Sequence, residues 1–216
     1  WMSTTFEILM NQLGIPAEMR NHEAFSQAEI EQVIVHKRSK VWEFHFVFEN
    51  ILPFELFLEL KRGLKDEFSK TGNQASFEIK TRNQEFSREL LQAYYREAFS
   101  DGPCASQGFR SMYQNFQVRF ENEQLIIEAS EAADTEHFRK NHLPNLSKQL
   151  EFFGFPKLSC SLEKNEELTR EEQEAFQTEN QMIIQAANEE TLRAMEQLEQ
   201  MAPPPPVEDK PVFDFQ

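Results

Sequence analysis

The chain has 216 residues and a formal net charge of −15, with 37 acidic and 22 basic side chains. This acidic balance disfavours a surface that grips phosphates, because affinity for nucleic acids depends on lysine and arginine releasing counterions. No apolar run approaches the roughly 20 residues that cross a bilayer, and the first residues lack the basic-then-apolar pattern of a signal peptide. We therefore expect a soluble, cytoplasmic protein with no membrane partner.

The length and the Pro-rich tail favour two small domains with an appendage over one large enzyme core. Phenylalanine occurs 21 times and hydrophobic residues make up 39% of the chain, so there is ample apolar area to bury. The two cysteines, Cys104 and Cys160, are far apart and form no CxxC pair. That spacing is typical of small buried side chains in a reducing compartment.

Residues 1–83 predict a helix, a β-hairpin, a second helix and a strand. Thr4 and Glu7 form a capping box for the first helix, and Pro53 suits the first turn of the second. β-branched residues and alternating aromatic residues flank a polar break, which is typical of a hairpin. The hairpin strands are predicted at 30–36 and 41–48, and the last strand at 75–80.

An aromatic row marks the second hairpin strand. Trp42, Phe44, Phe46 and Phe48 share one face by the period of two. Such a row can be buried core, or a platform on which nucleic-acid bases stack. The stacking motif needs glycines and a basic residue at set positions, and this strand has no glycine. The row is therefore predicted to be core.

Residues 84–163 predict nearly the same order of elements, which favours an internal duplication of one α+β unit. Pro144 should split the long helix near His142. The order within each half is similar to that of KH-like modules, although no G-x-x-G loop occurs. The predicted elements are a helix from Gln84 with Phe86, Leu90, Tyr94 and Phe99 on one stripe, a helix at 104–113, hairpin strands at 116–121 and 124–129, a helix at 134–153 and a strand at 157–163.

The last quarter of the chain is strongly acidic, with 13 acidic and 4 basic residues in 164–216. Thr169 and Glu172 form a capping box for a helix predicted to run to Met201, whose apolar positions are too sparse for a sustained coiled coil. A run of four prolines then predicts an extended spacer. The predicted segments are domain I at 1–83, domain II at 84–163, an acidic helical arm at 164–202 and a Pro-rich linker at 203–216, which leads toward a further domain.

One basic cluster interrupts this acidic chain. His36, Lys37, Arg38 and Lys40 lie in the polar break, at the tip of the predicted hairpin. A charged tip can be a solvated turn that protects the sheet edge from aggregation. It can also be an electrostatic handle for an acidic partner, and these four residues are the candidate partner-binding site.

No catalytic, metal or cofactor site is predicted. His137 and His142 are five residues apart, so they do not share a helix face as an i, i+4 zinc pair would. The sequence has no G-x-S-x-G motif, P-loop or dinucleotide-binding turn, and only 6 glycines. We therefore expect a chain that is not itself an enzyme.

Four segments carry a resemblance to a known family. They read HKRSKVWEFHF from His36, LPFELFLELKRGL from Leu52, FGFPKL from Phe153 and NEETLRAMEQLEQM from Asn188, the last ahead of the proline run. Together they closely resemble the N-terminal region of the PolC-type DNA polymerase III α subunit of low-GC Gram-positive bacteria, most like its streptococcal members. The resemblance covers the chain from Met2 onward, and Trp1 departs from it.

The resemblance implies two small N-terminal domains and a linker, with polymerase and 3′→5′ exonuclease domains and their magnesium following in the longer protein. None of the catalytic carboxylates of those domains corresponds to a position here. Together with the basic tip, the resemblance leads us to expect a non-catalytic region that binds another replisome protein, the clamp-loader τ subunit in the first place. The alternative is an accessory module for single-stranded nucleic acid, with DNA otherwise contacted by the later domains.

Overall fold

The structure is a computed structural model that describes residues 1–105, 113–129 and 135–201. The chain divides into two compact units, residues 1–166 and residues 167–216. The fold class is α+β, as predicted, with two three-stranded sheets. The helices are α1 Thr4–Gln12, α2 Ala17–Arg20, α3 Phe54–Ser69, α4 Arg88–Glu97, α5 Thr135–Asn141, α6 Leu143–Phe152 and α7 Glu166–Met201; the strands are β1 Glu29–His36, β2 Val41–Asn50, β3 Gln74–Asn83, β4 Gln117–Glu121, β5 Gln124–Ala129 and β6 Ser159–Lys164.

The first sheet consists of β1, β2 and β3 in that order. β1 and β2 form the predicted antiparallel hairpin, in which His36 pairs with Val41 across the turn. α3 then crosses back, so that β3 pairs parallel to β2, with Phe77 beside Phe44. A parallel return of this kind needs a connection of a dozen or more residues, which α3 supplies.

The aromatic row of β2 is buried, as predicted. Phe44, Phe46 and Phe48 are each at most 4% exposed, and Trp42 is partly buried against Phe68 of α3. Phe46 and Phe48 also meet the ring of Phe6 edge-on, at centroid separations of 5.7 and 5.6 Å. Edge-to-face rings at this separation are a favourable aromatic geometry. The row is therefore core and has no free face on which bases could stack.

The second sheet repeats the plan of the first. β4 and β5 form an antiparallel hairpin, and β6 returns parallel to β5. The crossover is α5 followed by α6, which separate at His142 because Pro144 stands in the first turn of α6, as predicted. Of the segment predicted as a helix at 104–113, residues 106–112 lie outside the described residues; Cys104 ends a 3-10 turn, Gly102–Cys104, and Tyr113 is helical.

Three details of the helix predictions were wrong. Ser3, and not Thr4, is the N-cap of α1, because its Oγ accepts the Phe6 N–H at 3.2 Å. α4 begins at Arg88 and not at Gln84, because Ser87 is its N-cap and its Oγ accepts the Leu90 N–H at 3.1 Å. Thr169 lies inside α7, which begins at Glu166. Propensity marks helix ends only to within a residue or two, so a neighbouring serine or an earlier start can take over.

One hydrophobic core runs through residues 1–166 and joins the parts around both sheets. Phe153 packs on Phe57 of α3 and on Tyr94 of α4, with ring centroids 5.1 and 5.3 Å apart. The Tyr94 hydroxyl donates a hydrogen bond of 2.7 Å to the carbonyl of Leu52. The domain boundary between residues 83 and 84 stays a prediction.

The second unit is described as far as Met201 and consists of α7. Its described side chains are exposed from Glu171 onward, including Phe176 at 64% and Leu198 at 69%. The predicted Pro-rich linker and the strand-like segment at 212–216 lie outside the described residues. Within the described parts of the chain, no helix combines the length and the apolar character that crossing a bilayer demands.

Candidate functional site

The turn between β1 and β2 holds the predicted basic cluster, which we call the basic turn: His36, Lys37, Arg38 and Lys40. All four side chains are exposed. The turn closes with Lys40 at a φ of +56°, a left-handed conformation that ordinary residues adopt only under constraint. One constraint is visible, because the carbonyl of Lys40 accepts the Gln74 N–H at 2.8 Å and so fastens the turn to the start of β3.

The four residues of the basic turn differ in their partners. His36 points along the sheet toward Glu43, with 3.6 Å between its Nε2 and the Glu43 Oε2. Within the described residues, Lys37, Arg38 and Lys40 have no carboxylate within 4 Å. Arg62, Arg82, Arg119 and Arg139, by contrast, all form ion pairs. The turn therefore presents three adjacent cations whose charge is not neutralised locally.

The outer face of the first sheet continues from the basic turn into a histidine and two carboxylates. His45 lies between Glu43 and Glu78, with its ring nitrogens 3.4 and 3.5 Å from their oxygens. Across residues 1–105, 113–129 and 135–201, no group of three or more such side chains has a geometry that could hold a metal ion. His137 and His142 form a separate ring pair, 5.7 Å apart, and burial lowers the pKa of His142, with His137 adding to the effect.

The two thiols are poor candidates for nucleophiles. Burial raises the pKa of Cys104 to about 11, and burial also raises the pKa of Cys160 to about 11. Only the thiolate attacks, so almost none of either group is reactive near neutral pH.

A second feature, a cleft of about 800 Å³, was missed by sequence reasoning. It lies between α3, the start of β3, the end of α4 and α6, and we call it the β3 cleft. Phe57, Lys61 and Lys65 line one wall, since their spacing of four places them on one face of α3. That spacing was visible in the sequence, but only the parallel return of β3 and the packing of α6 create the opposite walls.

Lys61 is the most constrained charge in the β3 cleft. It forms ion pairs with Glu97, whose side chain is only 9% exposed, and with Asp101. Burial by itself would lower the pKa of Lys61, but the hydrogen bonds to Asp101 and Glu97 raise it overall. Lys65, one turn further along α3, is exposed and has no carboxylate within 4 Å among the described residues.

Comparisons with known proteins identify the family. Residues 5–79 match the family described as DNA polymerase III polC-type N-terminus I, and residues 93–208 match DNA polymerase III polC-type N-terminus II. The chain is similar to the DNA polymerase III PolC-type of Streptococcus pneumoniae strain D39, with 73% identity over 215 residues. It is also 61% identical over 215 residues to that of Streptococcus sanguinis, and 42% identical over 214 residues to that of Streptococcus mutans.

These alignments take in all of this chain for the first two relatives and 99% of it for the third. In each case they cover only 14 to 15% of the relative, so the chain spans about one-seventh of the length of the curated proteins it matches. Both matched families describe N-terminal parts of one kind of polymerase. The chain therefore belongs to the PolC-type DNA polymerase III family, of which it represents the N-terminal region.

Proposed function

We propose that this chain is a non-catalytic interaction region of a replicative DNA polymerase and that it binds the τ subunit of the clamp loader through the basic turn. Polymerase and exonuclease activity, with the magnesium they need, belong in this proposal to the part of the relatives that the chain does not span. The proposal also takes each half to be KH-like but without the G-x-x-G clamp for a nucleic-acid backbone.

The observation that carries the proposal is the set of three unneutralised cations at the basic turn of an otherwise acidic chain. Charges at the rim of an interface steer association and fix its register. The turn closes the β1–β2 hairpin, and its backbone is fastened to β3 through Lys40, so the charged side chains project from a defined position. An acidic surface on the partner would complement it.

Binding of the full chain to purified τ, measured by calorimetry, tests the proposal. Changing Lys37, Arg38 and Lys40 together to glutamate should weaken binding about tenfold or more, because three attractive charges become repulsive. The matched control changes Lys140, Lys148 and Lys157, which are exposed elsewhere, by the same six units of charge. The control should stay within about twofold of the parent.

Two results would contradict the proposal. One is the absence of τ binding by the parent chain, and the other is equal weakening by both triple variants. Fluorescence anisotropy with labelled single-stranded DNA at 50 and 200 mM salt addresses the rival function. Tight binding that falls steeply with salt, and that the basic-turn variant abolishes, would favour the nucleic-acid module instead.

A further inference from the structure

β3 is an edge strand, and its outer edge is only half covered. At its C-terminal end the hydroxyl of Thr81 donates a 2.5 Å hydrogen bond to the carbonyl of Gly154, which packs against that part of the strand. At its N-terminal end, residues 74–77 line the β3 cleft. An uncovered strand edge presents unpaired N–H and C=O groups on which another strand can build.

The register shows which backbone groups face the β3 cleft. The Gln74 N–H bonds to the carbonyl of Lys40, so Gln74 turns its backbone groups toward β2. Backbone direction alternates along a parallel pair, and Ala75 and Phe77 therefore turn their N–H and C=O groups away from β2, toward the cleft. Among the described residues, no backbone hydrogen bond outside the sheet ladder engages these two residues.

The floor of the cleft is aromatic. Phe57, Phe77 and Phe153 line it, and Phe57 lies 5.5 Å from Phe77 and 5.1 Å from Phe153, centroid to centroid. A volume of about 800 Å³ lies within the range of ordinary ligand sites, roughly 300 to 1,000 Å³. In size and lining the floor suits apolar side chains that project from one face of an added strand.

The rim of the cleft carries charges of both signs. Glu97 and Asp101 share the single ammonium of Lys61, so that trio keeps one net negative charge on the α4 side of the cleft. Lys65 remains as the cation without a carboxylate among the described residues, on the same wall as Phe57. An incoming segment with an acidic residue near its apolar ones would pair with Lys65.

We propose that the β3 cleft binds an extended, acidic segment of a partner protein, which adds to the first sheet as a fourth strand beside β3. Backbone groups of Ala75 and Phe77 would supply hydrogen bonds, the three phenylalanines an apolar pocket, and Lys65 a charge contact. Strand addition of this kind draws affinity from main-chain bonds and specificity from alternate side chains. The site lies apart from the basic turn, and the proposal holds whether or not τ binds that turn.

The first test titrates a designed peptide into the isotope-labelled full chain and follows amide resonances. The probe is a capped hexapeptide alternating valine with aspartate and threonine; its control carries two central prolines and cannot pair with an edge. The amides of Ala75 and Phe77 should shift with the probe and not with the control. Absence of these shifts at millimolar peptide would overturn the proposal.

Variants then examine the two kinds of contact. Lys65→Glu should weaken binding of the probe about threefold to fivefold, and a probe with lysine in place of aspartate should recover that loss. Lys148→Glu, the control, should leave the affinity for both probes unchanged. Ala75→Pro removes an outward N–H without touching the β2 ladder and should weaken binding by about fivefold. Equal affinity of the parent and Lys65→Glu for both probes would contradict the charge contact.

Two further measurements test the occupant of the cleft and the separation of the cleft from the basic turn. If the same amides shift with protein concentration alone, the edge pairs with a second copy of the chain and the proposal of a partner segment fails. The triple basic-turn variant should bind the probe within about twofold of the parent, because its changes lie outside the cleft. A failure of τ binding at the basic turn therefore leaves this result unaffected, and the reverse also holds.

Discussion

Gly154 has a φ of +106°, and a Cβ built on it would lie 2.7 Å from the Thr81 Cγ2 and 3.2 Å from the Ile79 Cγ2. Both neighbours are β-branched side chains of β3, whose rotamers have little freedom to withdraw. The residue also stands between Phe153 and Phe155, which pack on Tyr94. The glycine therefore lets the end of α6 approach β3 closely enough to join the parts of the core around the two sheets.

Replacing Gly154 with alanine should destabilise the protein by about 2 to 4 kcal/mol, from backbone strain and the clash with β3 together. Gly14→Ala is the matched control, since Gly14 has a φ of +66° but no atom within 4 Å of a built Cβ. The control should lower the free energy of unfolding by about 1 kcal/mol, because it introduces backbone strain without a clash. Urea unfolding measures both, and equal losses would show that the close approach to β3 is unimportant.

At the scale of the element, each of the two sheets places one basic side chain among carboxylates on its outer face. On the second sheet this is Arg119 of β4, which bonds to Glu121, to Glu128 of β5 and to Glu163 of β6. These hydrogen bonds, led by the one to Glu163, raise the pKa of Arg119. On the first sheet His45 takes this role between Glu43 and Glu78.

Removing Arg119 would leave three like charges on one small sheet face. We expect Arg119→Ala to lower the thermal midpoint clearly at 20 mM salt and much less at 500 mM, because salt screens repulsion between exposed carboxylates. The matched control is Arg139→Ala, which removes an exposed ion pair within one helix. A loss of stability that does not depend on salt would show that Arg119 acts through packing instead.

The helices and strands also show how much of the fold could be predicted from the sequence. Both hairpins, the split of α5 from α6 at Pro144 and the burial of Phe44, Phe46 and Phe48 follow from local periodicity and turn chemistry, and all were predicted. The parallel return of β3 and β6 was not, because strand partners are chosen by contacts distant in sequence. The β3 cleft depends on that return, whereas the basic turn, a local feature, could be located from the sequence alone.

At the scale of the whole molecule, the two compact units are stabilised by different means. Residues 1–166 bury a continuous aromatic core, and a core of that kind unfolds cooperatively. The exposed side chains of α7 indicate that its helicity rests on local propensity and on i, i+4 contacts. Such a helix loses its structure gradually on heating.

Ala187→Pro, in the middle of α7, should test this division. Proline removes a backbone donor and clashes with the preceding turn, so the helical circular dichroism signal should fall noticeably at 20 °C. The thermal midpoint seen by near-ultraviolet signals should stay within about 1 °C, since Trp42 and all three tyrosines belong to residues 1–166. A shift of that midpoint by several degrees would show that the two units stabilise each other.

The hydrogen bond between the Lys40 carbonyl and the Gln74 N–H has a thermodynamic consequence. It connects the backbone of the basic turn to the first residue of the strand that borders the β3 cleft. A ligand that orders either surface lowers the entropy still to be lost at the other, so occupancy of one should strengthen occupancy of the other. Linkage requires the two enhancements to be the same factor, whichever ligand is added first, and calorimetry in both orders of addition would measure it.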